Sequence, residues 1–357
     1  MQAHQAHSSC IPRTAIWIGA IAARTPVGAS PASAAAAVRA GVSALAEHPA
    51  FLDQEGEPMR MARDAFLAPE MPIAQRMTEL LLAALAQLPD LWQRGRTLLL
   101  IGCPEPRPGL PAGIAETLGR AAAARFGAQI RVQTLAYGHA AGLLGLGLAA
   151  RALEDGAADL AVVAAVESYH DPAMLDWMDT TGALKSEANR DGFFPGEAAG
   201  ACLLVRGAEA PRLGLPMLAR LAAVSTALEP VPIRSEAVCV GEGLSAAFLG
   251  LAPVIERDGQ RITDTYCDLN GQRYRSEELL YTILRAQALS EDAHAYQHPA
   301  DCWGDLGAAS GPLLAVLAIA ARAKSYGNGP RAALWASSES GRRAVALLDL
   351  PAREAVS

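Results

Sequence analysis

Apolar positions fall into two kinds of run along the chain. Short, nearly unbroken runs of strand length alternate with longer Ala-rich stretches of helix length. The first run, Thr14 to Ala23, closes on Thr25, Pro26 and Gly28 and gives way to SPASAAAAVRAG, which stops at Gly41. That is a strand, a turn and a helix with a glycine stop. Helices are predicted from about Ala74 to Leu88 and from Gly113 to Phe126. The run RTLLLIGC ending at Cys103, then RVQTLAYG, DLAVVAAVES and GEAAGACLLV, read as strands. The stretch from Ala140 to Leu153 offers no polar face before Arg151 and Glu154, so it reads as a central helix buried on nearly all sides.

The second half repeats the theme. SEELLYTILRAQAL and PLLAVLAIAARA read as helices, and ALWASSESGRRAVALLDL as two strands joined by a polar turn. The alternation predicts a layered α/β fold built of two similar halves. We place them at residues 14–210 and 211–357, behind a flexible tail at 1–13. His4 and His7 in that tail read as solvated side chains rather than a metal-binding pair.

Composition sharpens this picture. With 51% hydrophobic residues but only 5% aromatics, the chain buries its core through Ala, Leu and Gly, which excludes a disordered protein. A net charge of −7 and the lack of any basic run argue against a nucleic-acid partner. Six widely spaced cysteines without a CxxC pair suggest neither a zinc site nor a disulfide framework, which fits a reducing cytoplasm. AIWIGAIAA is too short to span a bilayer and the N-terminus lacks a secretory pattern. No residue pattern names a metal, nucleotide or prosthetic group, so no cofactor is expected.

Four segments carry a family resemblance. RDGFFPGEAAGACLLV (Arg190 to Val205) resembles the Asp-Gly-Phe, Gly-Glu-Gly-Ala-Gly segment of ketosynthases in the thiolase superfamily, with Arg190, Asp191, Gly192, Phe193, Gly196, Glu197, Ala199 and Gly200 matching. Gly156 to Glu167, the opening IGAIAARTPVG, and GDLGAASGPLLAVLA (Gly304 to Ala318) resemble three further pieces of that family. The resemblance implies the thiolase fold, two similar halves in an αβαβα layered arrangement. The glycines in these pieces are also what tight turns and close helix packing require.

A condensing ketosynthase needs a cysteine at a strand-to-helix turn and two imidazoles, or an imidazole and an asparagine. In family register the nucleophile position falls on His139 when counted back from Gly156 and Glu167, or on Ala136 when counted forward from Val132. Neither is a cysteine. The resemblance puts Asn270 at the first histidine position and Gly304, or a neighbour among Trp303 and Asp305, at the second. The closing glycine-rich loop becomes SSESGRRA, with Gly341 as its one glycine; Arg342 and Arg343 read as surface residues. Cys103 and Cys302 lack the glycine turn and helix a nucleophile needs, and read as small buried hydrophobes.

The expected role is therefore that of a catalytically inactive ketosynthase-like protein, acting as an adaptor or assembly partner. Its protein partner would be a type VI secretion effector, or a ketosynthase and acyl carrier protein. The resemblance implies a homodimer in which DLAVVAAVES pairs with its twofold mate. The alternative is acyl-thioester transfer or decarboxylation at His139, with a pKa lowered by the helix N-terminus and hydrogen bonds from Tyr137 and Asn270. The pocket for it would be lined by Tyr137, His139, Phe193, Asn270 and Trp303.

Overall fold

The computed structural model describes residues 7–127 and 129–351. Its strands are β1 (His7–Cys10), β2 (Ile16–Arg24), β3 (Leu45–Leu52), β4 (Pro58–Ala62), β5 (Thr97–Cys103), β6 (Arg131–Ala136), β7 (Leu160–Ser168), β8 (Glu197–Arg206), β9 (Ala219–Leu228), β10 (Asp264–Cys267), β11 (Tyr296–Gln297), β12 (Arg331–Ser337) and β13 (Arg342–Asp349). Its helices are α1 (Pro31–Arg39), α2 (Ile73–Leu85), α3 (Ile114–Phe126), α4 (Ala141–Glu154), α5 (Pro172–Thr180), α6 (Glu242–Leu249), α7 (Ala252–Asp258), α8 (Arg273–Ala286), α9 (Ala300–Trp303) and α10 (Ser310–Ala323).

The main sheet consists of one pattern used twice. In the first half the order is β6-β5-β7-β8-β2, the first two pairings parallel and the next two antiparallel. In the second half β11-β10-β12-β13-β9 repeats that order and those directions. The halves meet where β2 pairs with β9. The equivalent helices α4 and α10 lead into the equivalent strands β7 and β12.

Side-chain alternation along the strands builds the layers. Leu98 and Leu100 of β5 join Leu143, Leu146, Leu313 and Leu317 of α4 and α10 in a central core. Leu99 and Ile101 face the other way, against Met77 and Leu81 of α2 and Leu118 of α3. Trp335 and Val345 likewise pack under Leu244 of α6 and Ile283 of α8. The result is α2/α3, sheet half, α4/α10, sheet half, α6/α8: the αβαβα arrangement expected from the sequence.

Glycine lets the two central helices touch. A Cβ on Gly142 would sit 2.4 Å from Pro312 Cδ, and one on Gly311 would sit 2.8 Å from the Leu143 backbone nitrogen. Each helix is entered through a short turn, Gly138–Ala140 or Gly307–Ala309, whose glycine has positive φ, 61° and 44°. The entrances are capped reciprocally. Ala140 N–H donates to Ser338 Oγ at 2.9 Å, just after β12, and Ala308 N–H donates to Glu167 Oε2 at 3.0 Å, in β7.

Three expectations change. Residues 7–10 of the predicted tail form β1, paired with β9, and His7 Nε2 lies 3.1 Å from Ser225 Oγ; His4 lies outside the described residues. The segment DLAVVAAVES has β5 on one side and β8 on the other, so it has no free edge for a twofold mate. The open edge of the first half is β6 instead. The β3–β4 hairpin, a separate two-stranded sheet, was not anticipated. Among the described residues no helix is long and apolar enough to cross a membrane.

Candidate functional site

Three segments converge beneath the entrance to α4: the Gly138–Ala140 turn, the loop after β10, and the loop before α10. His139 Nε2 lies 3.0 and 3.1 Å from the two carboxylate oxygens of Asp305. Asn270 Nδ2 donates to Asp305 Oδ2 at 2.5 Å. Tyr169 O–H and Gly307 N–H donate to Asp305 Oδ1, at 3.2 and 2.7 Å. Arg275, from the first turn of α8, donates to Asp268 Oδ2 at 2.9 Å and to the Ser337 carbonyl at 2.8 Å.

Arg275 Nη2 also lies 3.1 Å from His139 Nε2. The Asp305 carboxylate can only accept, so Nε2 carries the proton and donates it there; Arg275, itself only a donor, makes no hydrogen bond to that nitrogen and is a charge placed alongside. Burial pushes the His139 pKa down and Arg275 works in the same direction, but the Asp305 carboxylate outweighs them, and the net shift is upward from 6.5. This corrects the expectation of a pKa lowered by the helix N-terminus. Burial would raise the Asp305 pKa; His139, Arg275 and Asn270 together hold it well below the usual carboxylate range.

The structure brings His139 and Asn270 together through Asp305, a residue the sequence reading named only as a flank of Gly304. Gly304 itself turns the chain at φ +74°, where a Cβ would sit 2.7 Å from the Pro195 carbonyl oxygen. The next residue carries the carboxylate. Of the five residues expected to line one pocket, His139 lines a cavity of about 320 Å³ and Tyr137 an adjoining opening of about 470 Å³. Phe193 is buried with its ring edge against Tyr169, Asn270 is held by Asp305, and Trp303 walls a separate void of about 10 Å³. The Tyr137 side chain lies under the Arg342 guanidinium at 4.3 Å and makes no bond to His139. Ala136 ends β6, so the side chain that meets the other two segments is the one at 139.

Buried ion pairs frame the site. Arg107 binds Glu167 and lies over the Tyr169 ring at 4.2 Å. Glu197, fully buried, accepts from Arg76 at 2.7 Å, from Asp64 N–H at 2.8 Å and from Ser168 O–H at 2.9 Å. Arg343 is also buried, against expectation: it pairs with Glu278 and donates to the Tyr274 hydroxyl and the Ser338 carbonyl, both at 2.8 Å. Arg342 is exposed. Glu229, Cys239 and Glu278 bring potential metal-ligating atoms within 4.8 Å of one another. Their oxygens are already engaged by Gly243 N–H, Arg343 and Ser337 O–H, so the cluster reads as structural. Cys103 and Cys302 are buried, and burial pushes the Cys103 thiol up to about 12.

The cavity around His139 is polar. Glu105, Glu167 and Glu339 share its walls with Arg107, Arg234 and Trp177. Arg234 pairs with Glu339 at 2.9 Å and covers Trp177 at 4.4 Å. With Nε2 committed to Asp305, Nδ1 is the His139 nitrogen left for chemistry.

Comparison with known proteins agrees with this geometry. Residues 110–210 match the family model described as the N-terminal domain of beta-ketoacyl synthase. None of the curated proteins matches the sequence. Among solved structures, an oxazolomycin ketosynthase domain from Streptomyces albus JA3453 is similar at a TM-score of 0.77 and 16% identity, over 96% of this chain and 75% of that one. The ishigamide ketosynthase/chain length factor gives 0.76 and 16%, over 95% of this chain and 100% of the other. A type II polyketide ketosynthase solved with its acyl carrier protein gives 0.75 and 15%, over 95% and 100%. The repeated sheet order and these similarities show that the chain has the ketosynthase fold, and residues 110–210 carry a segment that matches the family's N-terminal domain.

Proposed function

We propose that this protein is a non-condensing ketosynthase relative that works by binding a protein partner. The observation that carries the reading is that Asp305 holds both His139 and Asn270, with the Arg275 charge beside His139. Where the helix entrance would present a thiol, it presents an imidazole already bound to a buried carboxylate. Cys103, at the end of β5, has its thiol pushed by burial up to about 12 and donates to the Ile101 carbonyl. A thioester-forming nucleophile would have to come from elsewhere.

Of the partner classes named from the sequence, a ketosynthase with its acyl carrier protein is favoured over a secretion effector. The similarity to a ketosynthase/chain length factor over 95% of the chain supports it. The open edge at β6 offers the backbone groups for pairing with that partner or with a second copy. Six unpaired cysteines support a reducing, cytoplasmic setting. The test is co-expression with the ketosynthase and carrier protein encoded nearest its gene, followed by affinity capture and light scattering. A stable complex with the ketosynthase or the carrier protein is expected; a chain that captures neither, whether monomer or homodimer, would overturn the reading.

A second reading has its own observation. His139 lines a cavity and keeps Nδ1 uncommitted, so acyl transfer or decarboxylation with His139 as base is chemically available. It requires turnover of an acyl thioester that disappears in His139→Ala.

A further inference from the structure

Along β4 the β3–β4 hairpin is joined to the segment before β8 by a single bridge. Ala62, at the end of β4, pairs with Gly196, and Ala62 N–H donates to the Pro195 carbonyl at 2.9 Å. Peptide groups alternate along a strand, so Arg60 N–H, Arg60 C=O and Pro58 C=O leave β4 on that same outer edge. The register agrees: Arg60 faces Glu47 and Ala62 faces Leu45, with the Ala46 and Met61 pair between them. A continued parallel ladder would ask residue 195 for an N–H and Phe193 for its carbonyl. Proline has no N–H, and the Phe193 carbonyl already accepts Lys185 N–H at 3.0 Å. The outer edge of β4 is therefore open beyond Ala62.

That edge borders a groove of about 560 Å³. Leu45 and Met59 line it from the hairpin, Leu184 and Phe194 from the other side. Five carboxylates share its walls with only two cations, Arg60 and Lys185. Of the five, Glu47, Glu57 and Glu187 are exposed and belong to no ion pair among the described residues. The other two, Asp53 and Asp179, crowd each other: burial and the Asp53 and Asp176 carboxylates raise the Asp179 pKa against the opposing Gln54 N–H. Arg60 spends its charge on the Phe194 ring, at 5.3 Å, rather than on an acid.

We propose that this groove docks a short, extended segment of a protein partner in which lysine or arginine alternates with apolar residues. The segment adds a strand to β4 and exchanges hydrogen bonds with Arg60 N–H and C=O. Its side chains divide by face, apolar ones against Leu45, Met59 and Leu184, cations toward the carboxylates. Charge selects this occupant: five carboxylates against two cations leave the groove net negative, which attracts a basic segment and repels an acidic one. The hairpin is a sheet separate from the one that ends in β6, so this site recruits a partner independently of pairing at that edge.

The experiment uses the full chain and a blocked fluorescent pentapeptide that alternates lysine and valine, with a glutamate–valine counterpart as control. Fluorescence anisotropy should show saturable binding of the lysine peptide, at least about ten-fold tighter than the glutamate peptide and weakening as salt rises from about 0.05 M to about 0.5 M. Hydrogen exchange of the Arg60 amide should slow about ten-fold or more in the saturated complex. Glu47→Gln, Glu57→Gln and Glu187→Gln combined change only exposed side chains without ion pairs, so the fold should stand while affinity falls about ten-fold. Absence of saturable binding at millimolar peptide, equal affinity for the two peptides, unchanged affinity in the triple variant, or an Arg60 amide that exchanges as fast in the complex as outside it would each overturn the site.

Discussion

Asp305 holds His139 by both carboxylate oxygens, at 3.0 and 3.1 Å, in the interior of the protein. His139 comes from the first half of the chain and Asp305 from the second. Their pairing sets the pH behaviour of the site.

Because the His139 pKa is raised in the folded state, its stabilising contribution is complete below about pH 6.5 and is lost as pH rises through the folded value. Asp305→Asn should bring the His139 titration, followed by proton NMR, down below 6.5, since burial and Arg275 then act unopposed. It should also cost about 3–5 kcal/mol in denaturant unfolding, as one partner of a buried pair is removed. An unshifted His139 titration would show that the carboxylate does not govern it.

Gly307 is a sensitive backbone position. A Cβ there would lie 2.1 Å from Glu167 Oε2, and the residue has a φ of +44°. Gly307→Ala should destabilise by about 2 kcal/mol or more and displace Glu167 from Ala308 N–H. Calorimetry measures the first effect and a crystal structure the second.

The adjacent arginines at the start of β13 should differ sharply. Arg343→Ala strands Glu278 in the core and is expected to cost about 3–5 kcal/mol. Arg342→Ala removes an exposed side chain lying over Tyr137 and should change stability by no more than about 0.5 kcal/mol. Equal losses in a urea titration would contradict the burial described.

Cys103 and Cys202 both have thiols pushed by burial from 9.0 up to about 12. At about pH 8 the native protein should alkylate at these two positions about a thousand-fold more slowly than an ordinary thiol. Mass spectrometry after iodoacetamide treatment reads this directly. Rapid labelling of Cys103 would reopen the possibility of a cysteine nucleophile.

The layered fold was legible because the apolar runs are long and nearly unbroken: β5, β7 and α4 lie within a residue or two of where hydrophobic pattern alone puts them. The site was legible in part. His139 and Asn270 could be found by counting along family segments, whereas Asp305 and Arg275 become partners only through folding, 166 and 136 residues from His139. Asp305 is the one acidic side chain in WGDLGAASG, and that was the available signal. Arg343 was misjudged since charge in a turn reads as surface, and only the position of Glu278 on α8 gives it a buried partner. The free edge at β6 follows from strand order, which the hydrophobicity of DLAVVAAVES does not encode.

The reciprocal caps at the entrances of α4 and α10 bear on how the molecule comes apart. Each central helix begins on a hydrogen bond supplied by the opposite half, Ser338 for one and Glu167 for the other. Neither half can complete its own innermost helix without the other. Unfolding of the two halves is thereby tied into one cooperative transition, and a fragment ending near residue 210 would lack the groups that start its own core.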